Sequence, residues 1–163
     1  MAEAKASSSA DLRPAPGPAP GGRPETGAGS GRRPGRGRGL VAAGAMVAGA
    51  LCLAATALIH LHLWMNGYRD IATIGALFLL QALTGFALAV AVALWHRWYV
   101  AAAGALFLLA TAGGLVISAE RGLFGFKDSL GAPYAGLSLV VEVGGAAALA
   151  LAALLALRRN RRV

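Results

Sequence analysis

The sequence predicts an all-α fold, a four-transmembrane-helix bundle preceded by a disordered basic N-terminal tail. Of the residues, 57% are hydrophobic and only 13% are charged, with a mean hydropathy of +0.63. A soluble domain carries about 25% charged residues. Four apolar runs follow the tail, and each reaches the ~20 residues that a helix needs to cross a ~30 Å hydrocarbon core. The 163 residues leave room for one such domain.

The predicted tail comprises residues 1–38. It contains every proline except Pro133 and seven of the 15 Lys and Arg residues, but almost no large apolar side chain. Such a segment cannot bury enough apolar surface to offset the entropy lost on ordering, so we expect it to be disordered. Its basic end, residues 32–38, is expected to lie against anionic lipid at the cytoplasmic face.

The predicted transmembrane domain comprises residues 39–163, with helices at about 40–64, 71–95, 99–118 and 134–157. None of the four runs alternates as a barrel strand does, and apolar side chains occupy all faces of each helix, as expected in lipid. The first run is longer than the 7–15-residue apolar region of a signal peptide. We therefore expect the first helix to remain in the mature protein.

The distribution of positive charge predicts the orientation. If the tail is cytoplasmic, twelve Lys and Arg residues lie inside and three, Arg69, Arg121 and Lys127, lie outside. Positive residues are enriched in the cytoplasmic segments next to membrane helices. The sequence therefore predicts a multi-pass protein of the cell membrane with both termini in the cytoplasm.

Four polar residues are predicted at overlapping depths in the outer half of the bundle: Glu142, His60, Gln81 and Thr56. Glu142 is the acidic residue within an apolar run, and an ionised carboxylate there is costly unless it is paired. We expect it to face the bundle and either to find a hydrogen-bond donor, with His60 and Gln81 as the candidates, or to stay protonated. Two interpretations stay open: an outward-opening polar pocket for a proton, cation or polar headgroup, or a structural hydrogen bond or partner contact.

The sequence lacks the residues that several functional classes of protein require. The single cysteine, Cys52, excludes an internal disulfide, a CxxC pair and a thiolate zinc site. His60 and His62 point about 200° apart on a helix, so they cannot share a metal ion. Two facing histidines for haem are also missing. No catalytic residue, metal site or cofactor is predicted, and we do not expect an enzyme.

The predicted partners are the lipid bilayer and either another membrane protein or a second copy of the chain. Nucleic acid is not expected, because the basic residues cluster at the chain ends and are not interleaved with aromatic residues. Glycines such as Gly113 and Gly144 would let helices approach closely.

Residues 59–86, IHLHLWMNGYRDIATIGALFLLQALTGF, carry a resemblance. The His-Leu-x-Leu-Trp element at 60–64, the Gly-Tyr-Arg loop at 67–69 and the run at 74–80 resemble uncharacterised small four-helix integral membrane proteins of high-GC Gram-positive (actinobacterial-type) bacteria. The resemblance covers the helical region and implies four helices without a known activity. Small multidrug transporters also have four helices and one buried Glu, but theirs lies on the first helix and Glu142 lies on the fourth.

The sequence favours first a non-enzymatic accessory or structural membrane component, because no catalytic constellation is visible. The alternative is a small carrier or lipid-handling protein that uses an outward-opening polar pocket around Glu142.

Overall fold

Four α-helices form the bundle. The computed structural model describes residues 34–125, 127, 129 and 131–161. The helices are α1 (Pro34–Met65), α2 (Ile74–Leu94), α3 (Trp98–Arg121) and α4 (Ala135–Asn160). A short 3-10 helix, Tyr68–Asp70, lies between α1 and α2. All four α-helices are long and apolar enough to cross a membrane, so the predicted all-α, four-helix fold is confirmed.

The helix ends lie within three residues of the predicted positions, except at the start of α1. That helix begins at Pro34, where the sequence predicted a start near residue 40. Proline is favoured in the first turn because its missing N–H would have no helical partner there. Residues 34–38 of the predicted tail therefore belong to α1, while residues 1–33 lie outside the described residues.

The short connections make consecutive helices antiparallel. One end of the bundle carries the connections 66–73 and 122–134, and we name it the long-loop end. The opposite, short-turn end carries the turn 95–97 and the end of α4. Helix α1 packs against α2 and α4, and α3 packs against α4, whereas α2 and α3 contact each other less extensively.

Small residues let the helix backbones approach closely in the core. A Cβ atom added to Gly145 of α4 would lie 2.5 Å from the Cβ of Cys52 in α1. One added to Gly104 of α3 would lie 2.9 Å from a Leu149 methyl group of α4. Close approach through glycine is typical of helix packing in membranes, where lipid and core are equally apolar. The largest fully buried apolar side chains are Leu53, Leu108, Leu149 and Val92.

Candidate functional site

Glu142 links α1 to α4 through hydrogen bonds. Its side chain is 1% exposed and lies seven residues into α4 from Ala135, about 10 Å along the helix. The Glu142 Oε1 accepts a hydrogen bond from the Thr56 hydroxyl of α1 at 2.8 Å. It accepts a second from the Ser138 hydroxyl, one turn earlier in α4, at 2.9 Å. The carboxylate therefore joins two helices that are distant in sequence.

The second carboxylate oxygen of Glu142 is buried without a partner. Its Oε2 forms no hydrogen bond to any described residue. Within the same residues, the ion pair recorded is Arg69–Asp70, so Glu142 has no basic partner there. An unpartnered polar atom in an apolar interior is costly. A proton or an additional donor bound at Oε2 would reduce that cost.

His60 extends the hydrogen-bond chain from Glu142. Its Nδ1 lies 2.8 Å from the carbonyl oxygen of Thr56 and 3.3 Å from the Thr56 hydroxyl. A carbonyl oxygen can only accept, so Nδ1 carries the hydrogen. The Thr56 hydroxyl gives its own hydrogen to Glu142, so it also accepts from His60. In the neutral ring, Nε2 is then left as a hydrogen-bond acceptor.

The predicted site residues are only partly brought together. Thr56, His60 and Glu142 lie in one chain of hydrogen bonds, although His60 reaches Glu142 through Thr56. Gln81 is half-buried on α2 and forms no hydrogen bond within the described part of the chain. The direct donors to Glu142 are Thr56 and Ser138, where the sequence predicted His60 or Gln81. The sequence contains a signal for Ser138, because a residue four positions before Glu142 lies on the same face of the helix.

Gln81 instead lines a cavity between α2 and α3. The cavity has a volume of about 470 Å³ and lies in the long-loop half of the bundle. Its wall includes positions from 74 to 84 on α2 and from 107 to 118 on α3. Ten or eleven residues of helix rise about 15 Å. The cavity therefore extends from the long-loop end through about half of a ~30 Å hydrocarbon core.

The mouth of the cavity is framed by aromatic rings. Tyr68 stacks on Phe78, with ring centroids 4.6 Å apart. The His60 ring also lies against Phe78, with ring centroids 5.1 Å apart. Tyr134, at the start of α4, packs edge-on against His62 at 5.3 Å. Tyrosine suits such a position because its ring is apolar and its hydroxyl is polar.

The cavity wall is largely apolar and carries no charged side chain among the described residues. Glu142 lies behind this wall and is not part of it. Leu80 lines the cavity and is 58% exposed. The polar residues in the wall are His60, Tyr68, Gln81, Thr84, Thr111, Ser118, Tyr134 and Ser138. Apolar cavities with a few polar groups are typical of small-molecule sites.

Within the described residues, no three His, Cys, Asp or Glu side chains lie close enough together to hold a metal ion.

Comparison with known proteins gives no further identification. No family model matches the chain, no curated protein matches it, and no solved structure matches it. The functional conclusion therefore depends on the cavity and on the hydrogen-bond chain beside it.

Proposed function

We propose that this multi-pass membrane protein binds a lipid or similar amphiphile in the cavity between α2 and α3. The observation that carries the proposal is the cavity itself, about 470 Å³ in volume and open at the long-loop half of the bundle. A depth of about 15 Å matches the hydrocarbon thickness of one leaflet. This is the lipid-handling alternative predicted from the sequence, with Glu142 placed behind the cavity wall.

The protein is proposed to be non-enzymatic. Glu142, the buried carboxylate of the described residues, is held by two hydroxyl groups and does not line the cavity. Among the described residues, the cavity wall therefore presents His60 without an acidic partner for acid–base chemistry. A binding or carrier role needs no such pair, because apolar contact and a few polar groups suffice to hold an amphiphile.

The accessory or structural role that the sequence favoured first stays a prediction. An added Cβ atom at Gly44, Gly113, Gly136 or Gly144 would meet nothing within 4 Å, so these glycines lie open. Open glycines are compatible with a partner helix. They do not identify one, and the cavity supports ligand binding more directly.

We further propose that both termini are cytoplasmic in the cell membrane, so that the cavity opens to the outer leaflet. Arg97, Arg158 and Arg159 lie at the short-turn end. At the long-loop end, Arg69 is neutralised by Asp70 at 3.6 Å. A surplus of positive charge at one end supports a cytoplasmic location for that end.

A substitution that fills the cavity tests the proposal. Gly114 lines the cavity, and an added Cβ atom would meet nothing within 4 Å there. Gly114→Leu should therefore occupy the cavity without disturbing helix packing. The matched control is Gly113→Leu, because Gly113 is equally open and does not line the cavity. Both variants replace a helical glycine by leucine, so their effects on helix propensity cancel.

Binding can be measured with oleyl alcohol that carries a photoactivatable diazirine in its chain. The full-length protein in phosphatidylcholine nanodiscs is irradiated, and labelled positions are mapped by mass spectrometry. We expect labelling at Phe107 and Leu115 in the wild type and in Gly113→Leu, and about tenfold less in Gly114→Leu, a difference of about 1.4 kcal/mol. Equal labelling in all three proteins, or labelling confined to lipid-exposed residues such as Val140, would refute the proposal.

A further inference from the structure

We infer that the cavity selects an uncharged lipid with a hydroxyl headgroup over phospholipids and cationic amphiphiles. The inference rests on the lipid-binding function proposed above and names the ligand class of the same site. Two observations on the described wall residues support it: none of them is charged, and His60, Gln81 and Ser118 have hydrogen-bonding capacity that no other described residue uses.

The described part of the wall offers no counter-charge to a charged headgroup. Among the described residues, none of those lining the cavity is Asp, Glu, Lys or Arg. A phosphate or ammonium group taken into the cavity would lose its hydration without gaining an ionic partner. Glu142 does not provide one to a cation, because it is 1% exposed and lies behind the wall.

His60 sets the requirement for a hydrogen-bond donor on the ligand. Its Nδ1 hydrogen is committed to the Thr56 carbonyl at 2.8 Å. The other ring nitrogen, Nε2, is an acceptor in the neutral ring, and His60 lines the cavity. An ether or a ketone has no hydrogen to donate to it, whereas a hydroxyl group does.

Further polar groups in the wall suit the same headgroup. Gln81 and Ser118 line the cavity, and within the described residues neither side chain has a hydrogen-bond partner. An amide and a hydroxyl both donate and accept. A ligand hydroxyl that donates to His60 can thus accept from one of them. Thr111, by contrast, already donates to the Leu108 carbonyl at 2.8 Å.

The free polar groups also place the headgroup. His60, Gln81 and Ser118 lie five, seven and three residues from the long-loop ends of their helices. These separations correspond to about 4–11 Å of depth. Beyond them the cavity continues to Phe107, so the hydrocarbon chain would lie deeper than the hydroxyl.

Four probes with one diazirine-bearing octadecenyl chain test the inference: the alcohol, its methyl ether, the phosphate and the ammonium. Each is presented to the full-length protein in phosphatidylcholine nanodiscs, and labelling at Phe107 and Leu115 is divided by that at the lipid-exposed Val140. We expect this ratio to be at least about tenfold higher for the alcohol than for either charged probe. The ether should give an intermediate value.

His60→Asn provides the matched variant. The asparagine amide can keep the donor to the Thr56 carbonyl, while the acceptor at the Nε2 position is lost. We expect the preference for the alcohol over the ether to fall in this variant, with Gln81 and Ser118 as the remaining acceptors for the alcohol hydroxyl. Retention of the full alcohol preference would overturn the assignment of His60.

The possible outcomes distinguish a failure of the headgroup selectivity from a failure of the proposed lipid-binding function. If no probe labels the cavity above the Val140 reference, the proposed function fails and the inference fails with it. If the phosphate or ammonium probe labels the cavity as strongly as the alcohol, and Gly114→Leu abolishes that labelling, lipid binding stands and the inference is overturned.

Discussion

The hydrogen bonds of Glu142, one between α1 and α4 and one within α4, should be measurable as energetic couplings between side chains. Thr56 of α1 and Ser138 of α4 both donate to its Oε1. We consider Glu142→Leu alone, Thr56→Val or Ser138→Ala alone, and the corresponding double variants. A double-mutant cycle cancels effects that each single change has by itself, including the removal of the unpartnered Oε2. What remains is the free energy of each pair.

The expected magnitude follows from the partners. Interhelical hydrogen bonds in membrane proteins contribute about 0.6 kcal/mol on average and about 1.7 kcal/mol at most. Thr56 and Glu142 are each 1% exposed, so water cannot replace the lost partner, and we expect about 1 kcal/mol for this pair. Glu142→Leu alone should destabilise by about 1–2 kcal/mol, because the orphaned hydroxyls can partly turn to carbonyls of their own helices. Glu142→Gln keeps an acceptor and should be milder.

The free energies of unfolding can be measured by equilibrium unfolding in mixed micelles. A denaturing anionic detergent is the titrant, and tryptophan fluorescence is the signal. Thr111→Val is the control, because the Thr111 hydroxyl bonds to Leu108 O within α3 and not to Glu142. Its coupling to Glu142→Leu should be zero within about 0.3–0.5 kcal/mol. Couplings of Thr56 and Ser138 that are no larger than this control, or a Glu142→Leu variant that is more stable than the wild type, would refute the reasoning.

Two further predictions concern packing and orientation. Gly145→Ala should destabilise by about 1–3 kcal/mol in the same titration, because its Cβ would lie 2.5 Å from that of Cys52. Gly144→Ala, whose Cβ meets nothing within 4 Å, should be neutral or stabilising, and equal stability of the two variants would contradict the packing. In a Cys52→Ala background, a cysteine introduced at Asn66 should react with an impermeant maleimide added to intact cells, and one at Ser7 should not. The reverse pattern would overturn the orientation.

The fold could be predicted because a bilayer imposes it. A helix that must cross an apolar core needs a minimum length of apolar residues. Polar residues flank each of the four apolar runs, so the ends of the helices can be read from the sequence. The start of α1 was the exception. The arginines and glycines of residues 34–38 resemble the tail in composition. In the structure they form the first turn of α1, ahead of its apolar residues.

The site could be predicted only in part, because sequence gives the depth of a residue more directly than its direction. Thr56, His60 and Glu142 lie at overlapping depths, and burial cost alone turns Glu142 inward. Gln81 lies within the same range of depths, but the rotation of α2 directs it to the cavity. That rotation depends on the packing of all four helices. The cavity itself has no sequence signature, because it forms where side chains of α2 and α3 do not contact each other.

The packing of α3 explains why the bundle is open at one end. A Cβ atom added to Gly104 would meet Leu149 and Leu53 at 2.9 and 3.2 Å, so α3 is held closely there. Ten residues further along the same helix, one added to Gly114 would meet nothing within 4 Å. On the other side of the bundle, Glu142 ties α1 to α4 at the depth where α2 and α3 separate. The long-loop half is thus joined by hydrogen bonds between α1 and α4 and is open between α2 and α3.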